Sequence, residues 1–265
     1  MQRREFLSLA LAAPTLAAEF PVRRVKVETA FKSPGPKPNG LQATSDGLWI
    51  LDQGDNRAYL VSYDGGKVLR GLDTDSKAGS GITFDGAAIW LASTYSREII
   101  QADAKTGKTR KKFDTPGAGA VDWPNPRRSP LAPKEEAKPA AAAQPAAPPE
   151  ERVKTGAHGL EWRGGKLWLA VPPAKTIYRM DPVAWKIEFQ FPTAGDRPHG
   201  LGWDGQWLWC ADSNANAFHR YDPKTGKVSA QIQLADSDPL PHGMTIWKGW
   251  MWYCDDVGVV CRFKL

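Results

Sequence analysis

The chain contains four histidines, and three of them stand directly before a glycine: His158-Gly-Leu, His199-Gly-Leu and His242-Gly-Met. They lie 41 and 43 residues apart. A neutral imidazole is a ligand for a divalent transition metal and, near neutral pH, a general base. Carboxylates recur in step with them. Asp52, Asp212 and Asp255 each lie three residues past a tryptophan (Trp49, Trp209, Trp252), and Asp256 follows the last. Glu161 lies three residues after His158. Imidazoles and carboxylates brought to one point can bind a divalent metal ion, which would act as a Lewis acid or a source of hydroxide.

What brings them to one point is a repeat. Five segments share one ten-residue register from the residue before Gly to a Trp: Asn39 to Trp49, Ser80 to Trp90, His158 to Trp168, His199 to Trp209 and His242 to Trp252. Each unit reads as four short strands separated by hairpin turns such as Asp204-Gly205 and Asp222-Pro-Lys-Thr-Gly226. A period near 41 with four strands is the signature of a β-propeller. The predicted fold is therefore all-β, a five-bladed propeller over residues 24–265. The last unit has only three strands, so residues 24–31, with a strand pattern of their own, are expected to supply its outer strand and close the ring. Between units two and three lies an insertion, about 116–154, rich in Ala and Pro. Its composition cannot bury a core and predicts an extended or disordered loop rather than a sixth blade.

Antiparallel strands decide which loops share a face. The residue before each Gly-Leu opens the strand lining the channel, so Asn39, Ser80, His158, His199 and His242 are expected to ring one channel mouth. The position three residues past each Trp (Asp52, Ser93, Val171, Asp212 and Asp255) shares that face. His158, His199 and His242 are thus metal-ligand candidates. His199, His242 and Glu161 are the catalytic candidates, with Asn39, Ser80, Asp52, Asp212, Asp255 and Asp256 as ligand contacts. A plainer reading stands beside this one: a polar residue ahead of a tight turn can simply bond the backbone, and each Asp can cap its loop. Glu161 belongs to a column with Gln42, Thr83, Gly202 and Thr245 that is placed to face the channel. The five Trp are expected to pack between blades, and His219 is read as structural. The insertion leaves the ring on the same face, where it is either a lid or solvated slack.

The net charge of +6 is modest for 265 residues, and no basic stripe with interleaved aromatics points to nucleic acid. Residues 1–18 have the layout of a cleavable twin-arginine signal: Arg3-Arg4-x-Phe6-Leu7, an apolar run, then Ala17-Ala18. That predicts a periplasmic or secreted protein with no integral membrane segment once the signal is removed. Three cysteines without CxxC spacing argue against a thiolate zinc site. Cys254 and Cys261 flank a hairpin turn near Val257-Gly258, where a two-residue loop would set them opposite each other; a disulfide and buried thiols are both open there.

The Pro-His-Gly-Leu segments, the Asp-Gly-x-x-Leu-Trp pair and Tyr-Asp-Pro-Lys-Thr-Gly-Lys resemble the streptogramin lyase (virginiamycin B lyase-like) propellers and the wider NHL, SMP-30 and YVTN group. The resemblance covers 24–265 without the insertion. It implies channel-mouth His and acidic residues with a divalent metal, used to open a lactone by elimination. His199, His242 and Asp256 match that layout. Those lyases have seven blades, and an acid close before the second His is replaced here by Leu240-Pro241. Five blades also resemble the plant-type glutaminyl cyclases, for which Glu161-Trp162 is the nearest match to a channel Glu among Trp residues. Three readings follow: a metal-dependent lyase or hydrolase, a cyclotransferase, and a non-catalytic propeller that binds a small molecule or peptide in its channel.

Overall fold

A computed structural model describes residues 20–121, 123, 126–133 and 152–265. The signal-like segment 1–18 lies outside the described residues. The chain begins with two short strands, β1 (Val22–Arg24) and β2 (Glu28–Lys32). Blade one follows as β3 (Pro38–Thr44), β4 (Gly47–Asp52), β5 (Arg57–Val61) and β6 (Val68–Asp73). Blade two is β7 (Gly79–Phe84), β8 (Ala88–Ser93), β9 (Glu98–Asp103) and β10 (Thr109–Asp114). The insertion opens and closes with a two-residue ladder between β11 (Gly119–Ala120) and β12 (Lys154–Thr155). Blade three is β13 (Gly159–Arg163), β14 (Lys166–Val171), β15 (Thr176–Asp181) and β16 (Lys186–Pro192). Blade four is β17 (Pro198–Asp204), β18 (Trp207–Asp212), β19 (Ala217–Tyr221) and β20 (Val228–Gln233). Blade five is β21 (Met244–Trp247), β22 (Trp250–Asp255) and β23 (Val259–Lys264), completed on its outer edge by β2. The protein is a five-bladed β-propeller.

Ring closure uses both N-terminal strands. The strand predicted over 24–31 divides in two. Glu28–Lys32 pairs antiparallel with β23, as expected for the missing strand of blade five. Val22–Arg24 instead runs parallel to β20 and adds a fifth strand to blade four. One peptide thus covers two sheet edges that would otherwise be open.

The tryptophans explain why the ring holds. Every core cluster straddles two neighbouring blades. Trp49 packs with Ile82 and Leu91 of blade two, and Trp90 with Leu160 and Leu169 of blade three. Trp168 packs with Leu201 and Cys210 of blade four, Trp209 with Met244 and Met251 of blade five, and Trp252 with Leu41 and Leu48 of blade one. All five are at most 4% exposed. Fully burying each aromatic contributes on the order of 2–3 kcal/mol, and each spends it on an interface between blades rather than inside one.

The glycine after each His, Asn or Ser has a steric cause. Five blades leave a narrow channel, and the inner strands nearly touch. A Cβ on Gly243 would lie 2.6 Å from the Asn39 carbonyl oxygen, and one on Gly40 would lie 2.9 Å from that of Ser80. Gly200 N–H donates to the His242 carbonyl at 2.9 Å across the same gap.

The cysteines are free thiols. Tyr253 faces Cys261 in the ladder and Cys254 faces Val260, so the two cysteines are one register step apart. A one-residue offset sends side chains to opposite faces. Accordingly Cys254 packs with blade one and Cys261 with blade four.

Candidate active site at the channel mouth

The three imidazoles line up on adjacent blades. His158 and His199 meet at right angles with ring centroids 4.6 Å apart, and His199 and His242 at 4.9 Å. All three are buried. They form a row around one arc of the mouth, not three ligands around one point. His158 Nδ1 lies 3.0 Å from His199 Nε2. The tautomers of this pair follow from its neighbours. The Ser213 hydroxyl donates to the Pro241 carbonyl at 2.6 Å, which spends its one proton. His199 Nδ1 lies 3.1 Å from the Arg197 carbonyl and 3.2 Å from Ser213 Oγ, so it must carry the hydrogen and donate to both. His199 Nε2 is then an acceptor, and His158 Nδ1–H donates to it. His158 is left with a bare lone pair on Nε2, buried and without a partner.

Charge reinforces this state. Burial is the largest influence on His158 and holds it down to about 3, with the half-buried Arg197 guanidinium and His242 adding to the effect. Burial, then the other two imidazoles and Arg197, also hold His199 well below the usual imidazole range. Burial lowers His242 as well, against an opposing pull from Asp256. All three are neutral at physiological pH.

The carboxylates divide sharply. Asp52 accepts from Lys37 N at 2.7 Å, Gly54 N at 2.8 Å and Asp55 N at 3.1 Å. Asp212 accepts from Arg197 N at 3.0 Å and Ala215 N at 2.8 Å. Both tie the loop entering a blade to the loop after its second strand, and Ser93 does the same for Lys77 N at 2.7 Å in blade two. These positions are structural caps, in line with the plainer sequence reading. Asp255 keeps the first of these bonds, from Leu240 N at 2.6 Å. Its Oδ1, however, is buried with no partner. Burial raises the Asp255 carboxyl above the ordinary range.

Asp255 Oδ1 lies 4.0 Å from His242 Nδ1, which is also buried and unpartnered, and Asp256 Oδ2 lies 4.0 Å from His242 Nε2. That gap is too long for a hydrogen bond. Ligand atoms of His242, Asp255 and Asp256 all lie within 4.8 Å of one another. One nitrogen and two carboxylate oxygens suit a borderline or hard divalent cation, and two orphaned atoms facing one gap fit such an ion.

Asn39 and Ser80 occupy the other side of the mouth. Ser80 accepts from Gln53 Nε2 at 3.2 Å, and Asn39 Oδ1 is buried without a partner. Glu161 sits deeper, in the expected polar belt. Thr83 Oγ1 donates to Gln42 Oε1, the Gln42 side chain bonds Glu161, and Ala43 N donates to Thr245 Oγ1 at 3.1 Å. Burial pushes Glu161 up to about 8, and its Oε2 has no partner. His219 is buried on β19 opposite Gln231, a structural position as expected. Trp162 stacks on Trp90 and Trp247 on Tyr63, while Arg163 covers Trp203.

Four residues of the mouth escaped the sequence reading: Arg197, Ser213, Trp123 and Ser129. Arg197 precedes Pro198-His199 and Ser213 follows a repeat Asp, so both stood at readable repeat positions. Trp123 and Ser129 belong to the insertion, which no repeat aligns. They reach the site because the described part of the insertion folds back over it. Ser129 Oγ donates to Asp255 Oδ2 at 2.5 Å, and the Trp123 ring stands edge-on to His158 with centroids 6.0 Å apart.

No family profile matches the chain, and no curated protein matches it in sequence. Among solved structures, it is similar to the glutaminyl cyclase of Myxococcus xanthus with a TM-score of 0.67 at 9% identity, over 93% of this chain and 98% of that one. A catalytically inactive virginiamycin B lyase from Staphylococcus aureus, solved with quinupristin, matches at a TM-score of 0.49 and 18% identity, over 86% of this chain and 66% of that one. A streptogramin B lyase matches at 0.48 and 14%, over 91% and 97%. The likeness to a glutaminyl cyclase expected from the sequence is thus met, and at 9% identity it concerns the fold.

Proposed function

We propose that the protein is an exported enzyme whose channel mouth holds a divalent metal ion with His242, Asp255 and Asp256, and that it catalyses a lyase or hydrolase reaction on a ligand at that mouth. The observation that carries this reading is the pair of buried, unpartnered atoms His242 Nδ1 and Asp255 Oδ1 facing each other at 4.0 Å. Leaving each unsatisfied costs about 1–3 kcal/mol, which a bound cation would recover. When bound, a divalent ion there would polarise a substrate oxygen.

The chain's own groups supply the proton chemistry. His158 Nε2 carries a bare lone pair at the mouth; burial holds it down to about 3, so it would take a proton only in a complex whose ligand reaches it and offsets that burial. Its Nδ1–H already points at His199 Nε2, and His199 in turn is anchored on Arg197 and Ser213. The row therefore holds His158 in one tautomer and one orientation. Burial above all, with the Arg197 guanidinium adding to it, keeps His158 and His199 uncharged.

Metal analysis of protein purified from the exported fraction tests the reading. We expect about one equivalent of divalent metal, lost in His242→Ala, as for a site built from side-chain ligands. Metal-free wild type, or metal retained in His242→Ala, sinks it. Export is tested by fusing residues 1–18 to a reporter and exchanging Arg3-Arg4 for Lys-Lys, which should hold the reporter in the cytoplasm.

A second reading rests on Glu161. A buried carboxyl raised to about 8 is protonated at neutral pH and could shuttle a proton, as a cyclotransferase acting on N-terminal Gln requires. The structural likeness to the Myxococcus glutaminyl cyclase is compatible with it. Cyclisation of a Gln-leading peptide, abolished by Glu161→Gln without change in metal content, would favour this reading over the first. Failure of both leaves a non-catalytic binding propeller.

A further inference from the structure

Taking the mouth as the functional site, as proposed above, we infer that its ligand is an extended, basic, hydroxyl-bearing peptide segment, and that residues 126–133 of the insertion occupy that peptide site in cis. The segment reads Pro-Arg-Arg-Ser-Pro-Leu-Ala-Pro. It lies along the arc of the three histidines, and the ring meets its backbone as well as its side chains. Arg127 N–H donates to Asn214 Oδ1 at 3.2 Å, and the Arg127 carbonyl accepts from Arg197 Nη1 at 3.2 Å. The Arg127 guanidinium reaches Asp236 at 2.8 Å. Two residues on, Ser129 delivers its hydroxyl to the buried Asp255 at 2.5 Å. Upstream, Trp123 donates its indole N–H to the Asp196 carbonyl at 3.2 Å, and the Arg197 guanidinium lies 4.9 Å over its ring.

A loop that merely passes over a surface has no need of a buried carboxylate. Ser129 finds one in the cation-capable group, and Asn214 and Arg197 hold both main-chain groups of one residue, the N–H and the C=O of Arg127. That is how a groove recognises an extended chain: main-chain bonds position it and pockets read alternate side chains. The ring does not depend on the segment for its own core, since no described residue of 116–153 belongs to any of the five clusters between blades. Val121 N–H also bonds the Val153 carbonyl at 3.0 Å, so the two ends of the insertion are already closed by the chain.

The test uses a synthetic peptide with the sequence of Pro126–Ala132 and two proteins: the intact chain, and a variant with 122–151 replaced by a short Gly-Ser bridge. A flexible tether presents its segment at roughly millimolar effective concentration, so the intact chain should bind the free peptide about 100-fold more weakly than the bridged variant. The peptide carrying Ser129→Ala should bind the bridged variant about 10-fold more weakly, having lost a bond to a charged group. A bridged variant that unfolds like the parent on heating yet ignores the peptide overturns the inference, as does equal binding by both proteins. If the bridged variant does not fold, the intact chain with Arg127→Ala and Ser129→Ala replaces it; that variant must gain peptide binding, and no gain overturns the inference. Metal content is read on the same samples. Metal without peptide binding refutes only the peptide site, and peptide binding without metal refutes only the metal reading.

Discussion

The blade-one and blade-five sides of the channel mouth are built from the same repeat, yet of the repeat carboxylates Asp52 and Asp255 only Asp255 has a buried oxygen without a donor. Asp52 and Asp255 occupy one repeat position, and each accepts from the backbone fifteen residues earlier. The difference lies in the loop that follows. Blade one has four residues between its second and third strands, 53–56, and two of them turn their N–H groups onto Asp52 Oδ1. Blade four, with 213–216, does the same for Asp212 through Ala215. Blade five has only 256–258, and its Gly258 N–H goes to the Asp255 main-chain carbonyl at 3.2 Å instead. One missing residue strips a carboxylate oxygen of its donors and leaves it facing His242. A structural cap becomes a candidate ligand by deletion, with no change of side chain.

The comparison breaks most visibly at Asp255. Asp255→Asn should weaken divalent metal binding more than about 100-fold, since loss of a ligand exceeds the 10–100-fold cost of disturbing a ligand's partner; titration calorimetry with zinc and manganese reads it. Unchanged affinity would mean that Asp255 is a cap like its counterparts. Asp212→Ala should do the opposite. It should leave metal affinity intact but strip partners from Arg197 N and Ala215 N, costing about 2 kcal/mol. For a domain this size that lowers the melting temperature by roughly 4–8 °C. A third test restores the missing residue: one glycine inserted between Asp256 and Val257 should return an N–H to Asp255 Oδ1 and reduce metal affinity about 10-fold, in keeping with satisfying the orphaned oxygen internally. Affinity that does not move would detach the gap from the loop length.

The smallest effect lies deeper, at Glu161. Its carboxyl is raised to about 8 in the fold from an ordinary 4.5, so the folded chain holds an extra proton between those values. Its contribution to stability is complete below about 4.5 and is lost as pH climbs to about 8. The histidines slope the other way, because their folded values are depressed: stability falls as pH drops below about 6.5. Comparing Glu161→Gln with the parent isolates the carboxyl. The variant's melting temperature should gain on the parent's between pH 5 and pH 8, by the equivalent of at least about 1 kcal/mol. A constant difference across that range would place Glu161 in contact with solvent.

Much of this was legible in the residues. The ten-residue register counted the blades, put the five Trp at the interfaces and brought His158, His199 and His242 to one mouth. Closure of blade five by an N-terminal strand was legible too, although the break at 25–27 that leaves Val22–Arg24 to pair with blade four was not. The cysteines show the limit of local geometry. Their flanking positions look opposed in a tight hairpin, and only the three-residue loop sets the register that separates them. The insertion shows another limit. Low-complexity composition predicted that it has no core of its own, which says nothing about whether a stretch such as 126–133 can borrow a surface from the ring.

Sequence alone determined the architecture of this protein, because hydrophobic period, turn residues and Trp spacing repeat five times and reinforce one another. It also brought the repeat-position histidines and carboxylates to one mouth, though not Arg197, Ser213, Trp123 or Ser129. Which of them are spent on structure was decided only by tertiary placement. Asp52, Asp212 and Asp255 are the same residue at the same repeat position, and what separates them is the number of backbone N–H groups within reach. The tautomers of the histidine row were likewise settled by Ser213 and the carbonyls of Arg197 and Pro241, donors and acceptors that come together only when the ring closes.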